Sequence, residues 1–116
     1  DAIVITFPDG ARFEYEPETS HLAVTGITTA TIEASESVNV TAPNITCAAS
    51  VKITLDTPEV ECTHNLTTAT LDVKKGGTMG GNITHSGGQF SSNGVVIDKH
   101  DHGGVQRGGD WTEGVK

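Results

Sequence analysis

Val38-Asn39-Val40-Thr41-Ala42-Pro43-Asn44-Ile45-Thr46-Cys47 returns fifteen residues later as Ile53-Thr54-Leu55-Asp56-Thr57-Pro58-Glu59-Val60-Glu61-Cys62. Aliphatic and polar residues alternate in both copies, which is the period of an extended strand whose successive side chains face opposite ways. Pro43 aligns with Pro58 and Cys47 with Cys62, so each copy sets a corner and then a small inward residue at equivalent places. Short strand, corner, short strand, repeated, is the signature of a β-solenoid. The same Thr-, Ser-, Val-, Ile- and Asn-rich texture runs from Ile27 to Val73 without a helical stripe, and predicts that this stretch is nearly all strand.

Upstream, Ala2-Ile3-Val4-Ile5-Thr6-Phe7 is β-branched and apolar, Pro8-Asp9-Gly10 supplies turn chemistry, and Ala11-Arg12-Phe13-Glu14-Tyr15-Glu16 alternates. This predicts a β-hairpin. A loop over Pro17 to Ser20 and a short strand His21-Leu22-Ala23-Val24-Thr25, ending at Gly26, follow. Downstream, Gly76-Gly77-Thr78-Met79-Gly80-Gly81 and Ser86-Gly87-Gly88 concentrate glycine. Glycine permits tight corners and close approach of backbones, so a shaft would narrow from about residue 76. The strand-like Asn82-Ile83-Thr84-His85 and Val95-Val96-Ile97 between and after these glycines argue against a flexible linker.

A chain of 116 residues holds one small domain. Only 34% of it is hydrophobic and 4% aromatic, the deficit being filled by Thr, Ser, Asn and Gly rather than by charge. A monomer of that composition is marginal, and a 116-residue solenoid has few coils and exposed ends. Three chains wound together remedy both defects, because the apolar residues meet on a common axis and the lateral edges are shared. The sequence therefore points to an intertwined homotrimer. The net charge of −8 comes with seven Lys and Arg, scattered singly apart from Lys74-Lys75, which argues against nucleic-acid binding. No apolar run is long enough to span a bilayer. The start at Asp1, without Met, is read as that of a fragment of a longer protein. Cys47 and Cys62 are too few for a disulfide scaffold and lack zinc-knuckle spacing, so they are expected to be buried small apolar residues.

The residues that carry chemistry lie in Val95-Val96-Ile97-Asp98-Lys99-His100-Asp101-His102-Gly103-Gly104. On an extended strand His100 and His102 present two imidazoles on one side. Two nitrogens make a poor metal site, but three-fold symmetry turns them into six, a full octahedral shell with no position left open for substrate. Iron(II) suits that shell, and nickel, cobalt and manganese also satisfy the ligand type. Such an ion is structural. Gly103-Gly104 allows the chain to reverse at the tip. Asp98 shares the facing of His100 if the strand stays regular, where it would hydrogen-bond an imidazole N–H or join a three-carboxylate ring that takes calcium; an outward-turned Asp98 at a register break is the alternative.

The run Ser92-Asn93-Gly94-Val95-Val96-Ile97-Asp98-Lys99-His100-Asp101-His102-Gly103-Gly104-Val105-Gln106 resembles the C-terminal tip of the baseplate assembly protein V family, the tail spikes of contractile-tailed bacteriophages. Ile3 to Gly26 is similar to the closing strands of the oligosaccharide/oligonucleotide-binding (OB-like) barrel that precedes the shaft in that family, and the Thr-rich middle to its triple-stranded β-helix. The resemblance implies an all-β, intertwined trimeric spike in three parts: 1–26 the end of the barrel, 27–99 the β-helix shaft, and 100–116 the metal-binding tip and return segment. It also implies an iron ion, one per trimer, held by His100 and His102 of each chain. The implied partners are baseplate and tail-tube proteins, through the barrel, and the host outer membrane. No catalytic residues are implied, and the expected location is the virion tail baseplate. Asp110, Trp111 and Glu113 follow the tip, so Val105 to Lys116 is expected to fold back along the shaft with Trp111 on its outside.

Two other readings share parts of this pattern. Gly94, five residues, His100, one residue, His102 opens a cupin-like metal-enzyme motif, but no Glu stands four or five residues after His102, and the 14 residues that remain cannot hold a second histidine motif. A trimeric fibre or adhesin would keep the shaft but display aromatic recognition loops, whereas this tip offers His, Asp and Gly. Asn39-Val40-Thr41, Asn44-Ile45-Thr46, Asn65-Leu66-Thr67 and Asn82-Ile83-Thr84 fit the glycosylation pattern as by-products of polar–apolar alternation. His21, His64 and His85 stand alone and are expected to be structural or solvent-facing.

Overall fold

The structure, a computed structural model, describes residues 1–99 together with Asp101 and Gly103. It is all-β, with no helix among the described residues. The chain divides into two units, Asp1–Val60 and Glu61–Lys116.

The first unit opens with a three-stranded antiparallel sheet of β1 (Ile3–Thr6), β2 (Arg12–Glu16) and β3 (His21–Thr25) in the order β1-β2-β3. The β1–β2 hairpin and the third strand lie where the alternation and the Pro8-Asp9-Gly10 turn predict them. At that turn Gly10 N–H donates to the Phe7 carbonyl, Phe7 N–H donates to the Ala11 carbonyl, and Ala11 N–H donates to Asp9 Oδ1, each over 3.0 Å. Phe7 and Phe13 meet edge to face with ring centroids 5.2 Å apart, a contact that contributes about 0.5–1.5 kcal/mol beyond area burial.

The register gives the sheet two unlike faces. Ile3 lies opposite Tyr15 and Tyr15 opposite Leu22; Ile5 lies opposite Phe13 and Phe13 opposite Val24. Residues two apart share a face, so these six apolar side chains form one continuous surface, while Glu14, Arg12, Glu16 and Thr6 occupy the other. All six are exposed, and Ala11 is the one buried hydrophobic residue among those described. The chain leaves the sheet at Gly26 with φ +71°, where a Cβ would lie 2.3 Å from the Gly10 carbonyl oxygen. Only glycine fits so close to the β1–β2 turn.

Beyond Gly26 the extended chain closes no ladder of its own among the described residues. Among the described residues, 27–89 contain no strand and make no main-chain to main-chain hydrogen bond. Asn82 to His85, read as strand-like, is included. A strand requires a partner ladder, and no described segment provides one to these residues. What remains is a succession of bends at 28, 35–36, 43, 50–51, 57–58, 63–64, 69, 74–75, 81 and 87–88. Pro43 and Pro58 sit at two of them, so the fifteen-residue repeat spans two bend-to-bend segments. Successive bends are seven to eight residues apart as far as Pro58 and closer together after it.

The polar alternation of this stretch is visible in local contacts between residues two apart. Asn65 Nδ2 donates to Thr67 Oγ1 over 3.1 Å, and Lys74 Nζ pairs with Asp72 Oδ2 at 2.9 Å. Leu66 and Val73, between the members of these pairs, alternate to the opposite face. Every residue from 27 to 95 is exposed, including Val51 at 93% and Ile32 at 83%. Cys47 and Cys62, expected to be buried, are exposed free thiols in the single chain, where no described segment covers them. The accessible surface is 12311 Å² for 12.1 kDa, about twice the roughly 6,000 Å² of a compact monomer of that mass.

Candidate apex site

Within the second unit, β4 (Ser91–Ser92) and β5 (Val95–Val96) form a hairpin in which Ser92 faces Val95 and Ser91 faces Val96. Its two-residue turn is Asn93-Gly94, with φ of +50° and +83°. Positive φ at both central residues is the geometry whose twist matches that of the strands, and Asn-Gly is the dipeptide that adopts it at least cost. Ile97 N–H donates to the Phe90 carbonyl over 2.8 Å and so extends the pairing by one step. The alternation rule reads Val95-Val96-Ile97 as one strand and misses this hairpin. The signal that finds it is the Asn-Gly pair itself.

Beside the hairpin an open groove is lined by Met79, Ile83, His85, Phe90, Ile97 and Asp98. His85 meets the Phe90 ring edge to face at 5.7 Å, so this histidine has an aromatic neighbour rather than standing alone. Asp98 forms part of the groove wall and sits in a turn that begins directly after β5. The regular strand that would carry its facing through to His100 therefore ends at Val96. Asp101 and Gly103 are exposed, and Gly103 lies in a turn with open space where a Cβ would stand.

The proposed ligands His100 and His102, the second tip glycine Gly104, and the return segment with Trp111 lie outside the described residues. Among the described residues no three His, Cys, Asp or Glu side chains gather in a group that could hold a metal ion. What the sequence offers is the donor set itself, two imidazoles per chain separated by one residue. That set is compatible with a transition metal only if other chains contribute to it.

Residues 41–93 match the family model described as Phage spike trimer, and residues 94–114 match the GpV Apex motif. The two matches adjoin between Asn93 and Gly94, inside the hairpin turn. The chain is also 58% identical over 108 residues to the Spike protein of Escherichia phage P2, a match that covers 93% of this chain. It spans 51% of that relative, about half its length. The stretch from residue 41 to residue 114 therefore belongs to the phage spike trimer family and its GpV Apex motif, in a chain that is similar over nearly its whole length to a phage spike protein.

Proposed function

We propose that this chain forms the membrane-piercing part of a central tail spike, located in the virion at the tail baseplate, which perforates the host outer membrane when the tail contracts. Three copies wind into an intertwined, triple-stranded β-helix over 27–99. One observation carries this reading: among the described residues, main-chain donors and acceptors along 27–89 find no main-chain partner, while apolar side chains alternate along the same stretch and are exposed. Backbone polar groups in a folded protein are paired, and exposed aliphatic stripes of this length call for a cover. Other copies of the same chain satisfy both needs at once, and the match to a spike trimer over 41–93 supports that choice. A β-helix whose edges are all shared resists bending and fraying, which is what a needle requires. The closer bend spacing after Pro58 supports a shaft that narrows towards the tip.

Residues 1–26 act as the closing strands of an OB-like barrel. The all-apolar face of the β1–β2–β3 sheet supports this, since it has the character of an inner barrel wall. Through that barrel the spike joins baseplate and tail-tube proteins. At the other end, His100 and His102 of three chains supply six imidazole nitrogens to one iron ion that fastens the chain ends, and Gly103-Gly104 turns each chain at the point. Asp98 serves either as a hydrogen-bond partner of the ligands or as part of a carboxylate ring for an axial calcium ion. Saturation of the iron by protein ligands leaves it a structural staple rather than a reaction centre. The acidic surface disfavours sticking to anionic envelope lipids and leaves no role in nucleic-acid binding.

Light scattering together with elemental analysis tests this. The expected result is three chains per particle and one iron per three chains. A single-chain mass would overturn the spike; an assembled trimer without transition metal would overturn the capped tip alone.

A further inference from the structure

We infer that the Ile45–Cys47 and Val60–Cys62 face is the one each chain turns towards the other two copies, so that both thiols, exposed in the single chain, close inside the trimer as two layers of three. The inference rests on the trimer proposed above and adds its register. In extended chain, residues two apart share a face, as the Asn65–Thr67 and Asp72–Lys74 contacts display directly. Ile45 and Cys47 therefore point one way, and Asn44 and Thr46 the other.

In the second copy of the repeat the opposite face carries Glu59 and Glu61. Turned inward, they would bring six carboxylates together in a trimer, a buried like-charge cluster that no Lys or Arg of the repeat offsets. Outward, they remain solvated at no such cost. Both corners precede their cysteine by the same four residues, at bends observed at 43 and 57–58, and Thr57 Oγ1 braces the second by donating to the Glu59 carbonyl over 3.2 Å. The same facing therefore applies to both thiols. Three copies of one residue related by a three-fold axis lie at one level along it, so Cys47 and Cys62 mark two levels in the shaft. The occupant of this face is a second copy of the chain, because the spike trimer match covers both cysteines and the chain exposes about twice the area of a compact monomer.

The test is maleimide labelling of the assembled protein, read by mass spectrometry, with the particle mass measured in the same solution. Both thiols are expected to react about 100-fold or more slowly than in urea-unfolded chain, since reaction then requires the shaft to open. Labelling at the unfolded rate in a particle that still weighs three chains would overturn the inward register and leave the trimer standing. A single-chain mass would overturn the trimer and this inference with it. The variant Glu61→Cys, in a Cys47→Ala/Cys62→Ala background, is expected to label at the unfolded rate within an intact trimer. Protection of that thiol would overturn the register from the other side.

Discussion

Replacing Gly26 by Ala probes how the chain is steered out of its sheet, and two contributions to the cost can be worked separately. The φ of +71° belongs to the left-handed region, where a residue with a Cβ is disfavoured by about 1–2 kcal/mol. The added carbon would also stand 2.3 Å from the Gly10 oxygen, 2.9 Å from the Gly10 carbon and 3.2 Å from the Ala11 Cα. Backbone, not a flexible side-chain end, would have to move. The segment that must give is held by the 3.0 Å hydrogen bonds from Gly10 to Phe7, Phe7 to Ala11 and Ala11 to Asp9. Losing one or two of them adds about 1–3 kcal/mol, for a total near 2–5 kcal/mol per chain. Gly10→Ala is the internal control: its φ is +93°, yet nothing lies within 4 Å of the added carbon, so only the conformational part is expected. The assay is urea unfolding at one fixed protein concentration, because assembly and stability are linked. Hydrogen exchange of the β1–β3 amides then localises the loss. Equal midpoints for Gly26→Ala and Gly10→Ala would refute the argument, since the close approach would then cost nothing.

Leu55→Ala should destabilise the assembled shaft by about 2–5 kcal/mol per chain if its face is covered by other copies; Asp56→Ala, on the opposite face, should stay within about 0.5 kcal/mol. Thermal midpoints at matched concentration distinguish the two, and equal effects would contradict the two-faced strand. Gly94→Val should weaken the β4–β5 hairpin by about 1–2 kcal/mol because its φ is +83°, and faster exchange at the Ile97 amide would report it. His100→Ala/His102→Ala is expected to abolish metal binding and leave the shaft trimeric, measured by elemental analysis and light scattering. Acidification should release the ion, since protons compete with the metal for the imidazole nitrogens. Metal absorbance should therefore fall before circular dichroism of the strands does.

Much of this molecule is written in short-range pattern. Alternation and the Pro8-Asp9-Gly10 turn define the first hairpin, and strand β3 follows where Gly26 closes the apolar run. The fifteen-residue repeat places corners at Pro43 and Pro58, where the chain bends. The Asn93-Gly94 hairpin is equally local, but averaging over the apolar run Val95-Val96-Ile97 hides it. Turn chemistry outranks hydrophobic pattern at that point because positive φ at two successive residues is nearly unavailable to other dipeptides. The pair His100 and His102 is legible as a donor set, but its geometry is not, since the two proposed ligands would acquire a shape only from other chains meeting around them.

The sequence alone settles where the first hairpin turns, which positions are apolar and which two histidines stand one residue apart. These are properties of single residues and near neighbours, fixed by φ, by hydrogen-bonding capacity and by a period of two. Only the tertiary structure decides that, among the described residues, 27–89 close no ladder, that Cys47 and Cys62 are exposed in the single chain, that Gly26 sits against the Gly10 carbonyl, and that the strand before the tip stops at Val96. Each depends on whether a second segment arrives in space, which an alternating pattern can demand but cannot supply.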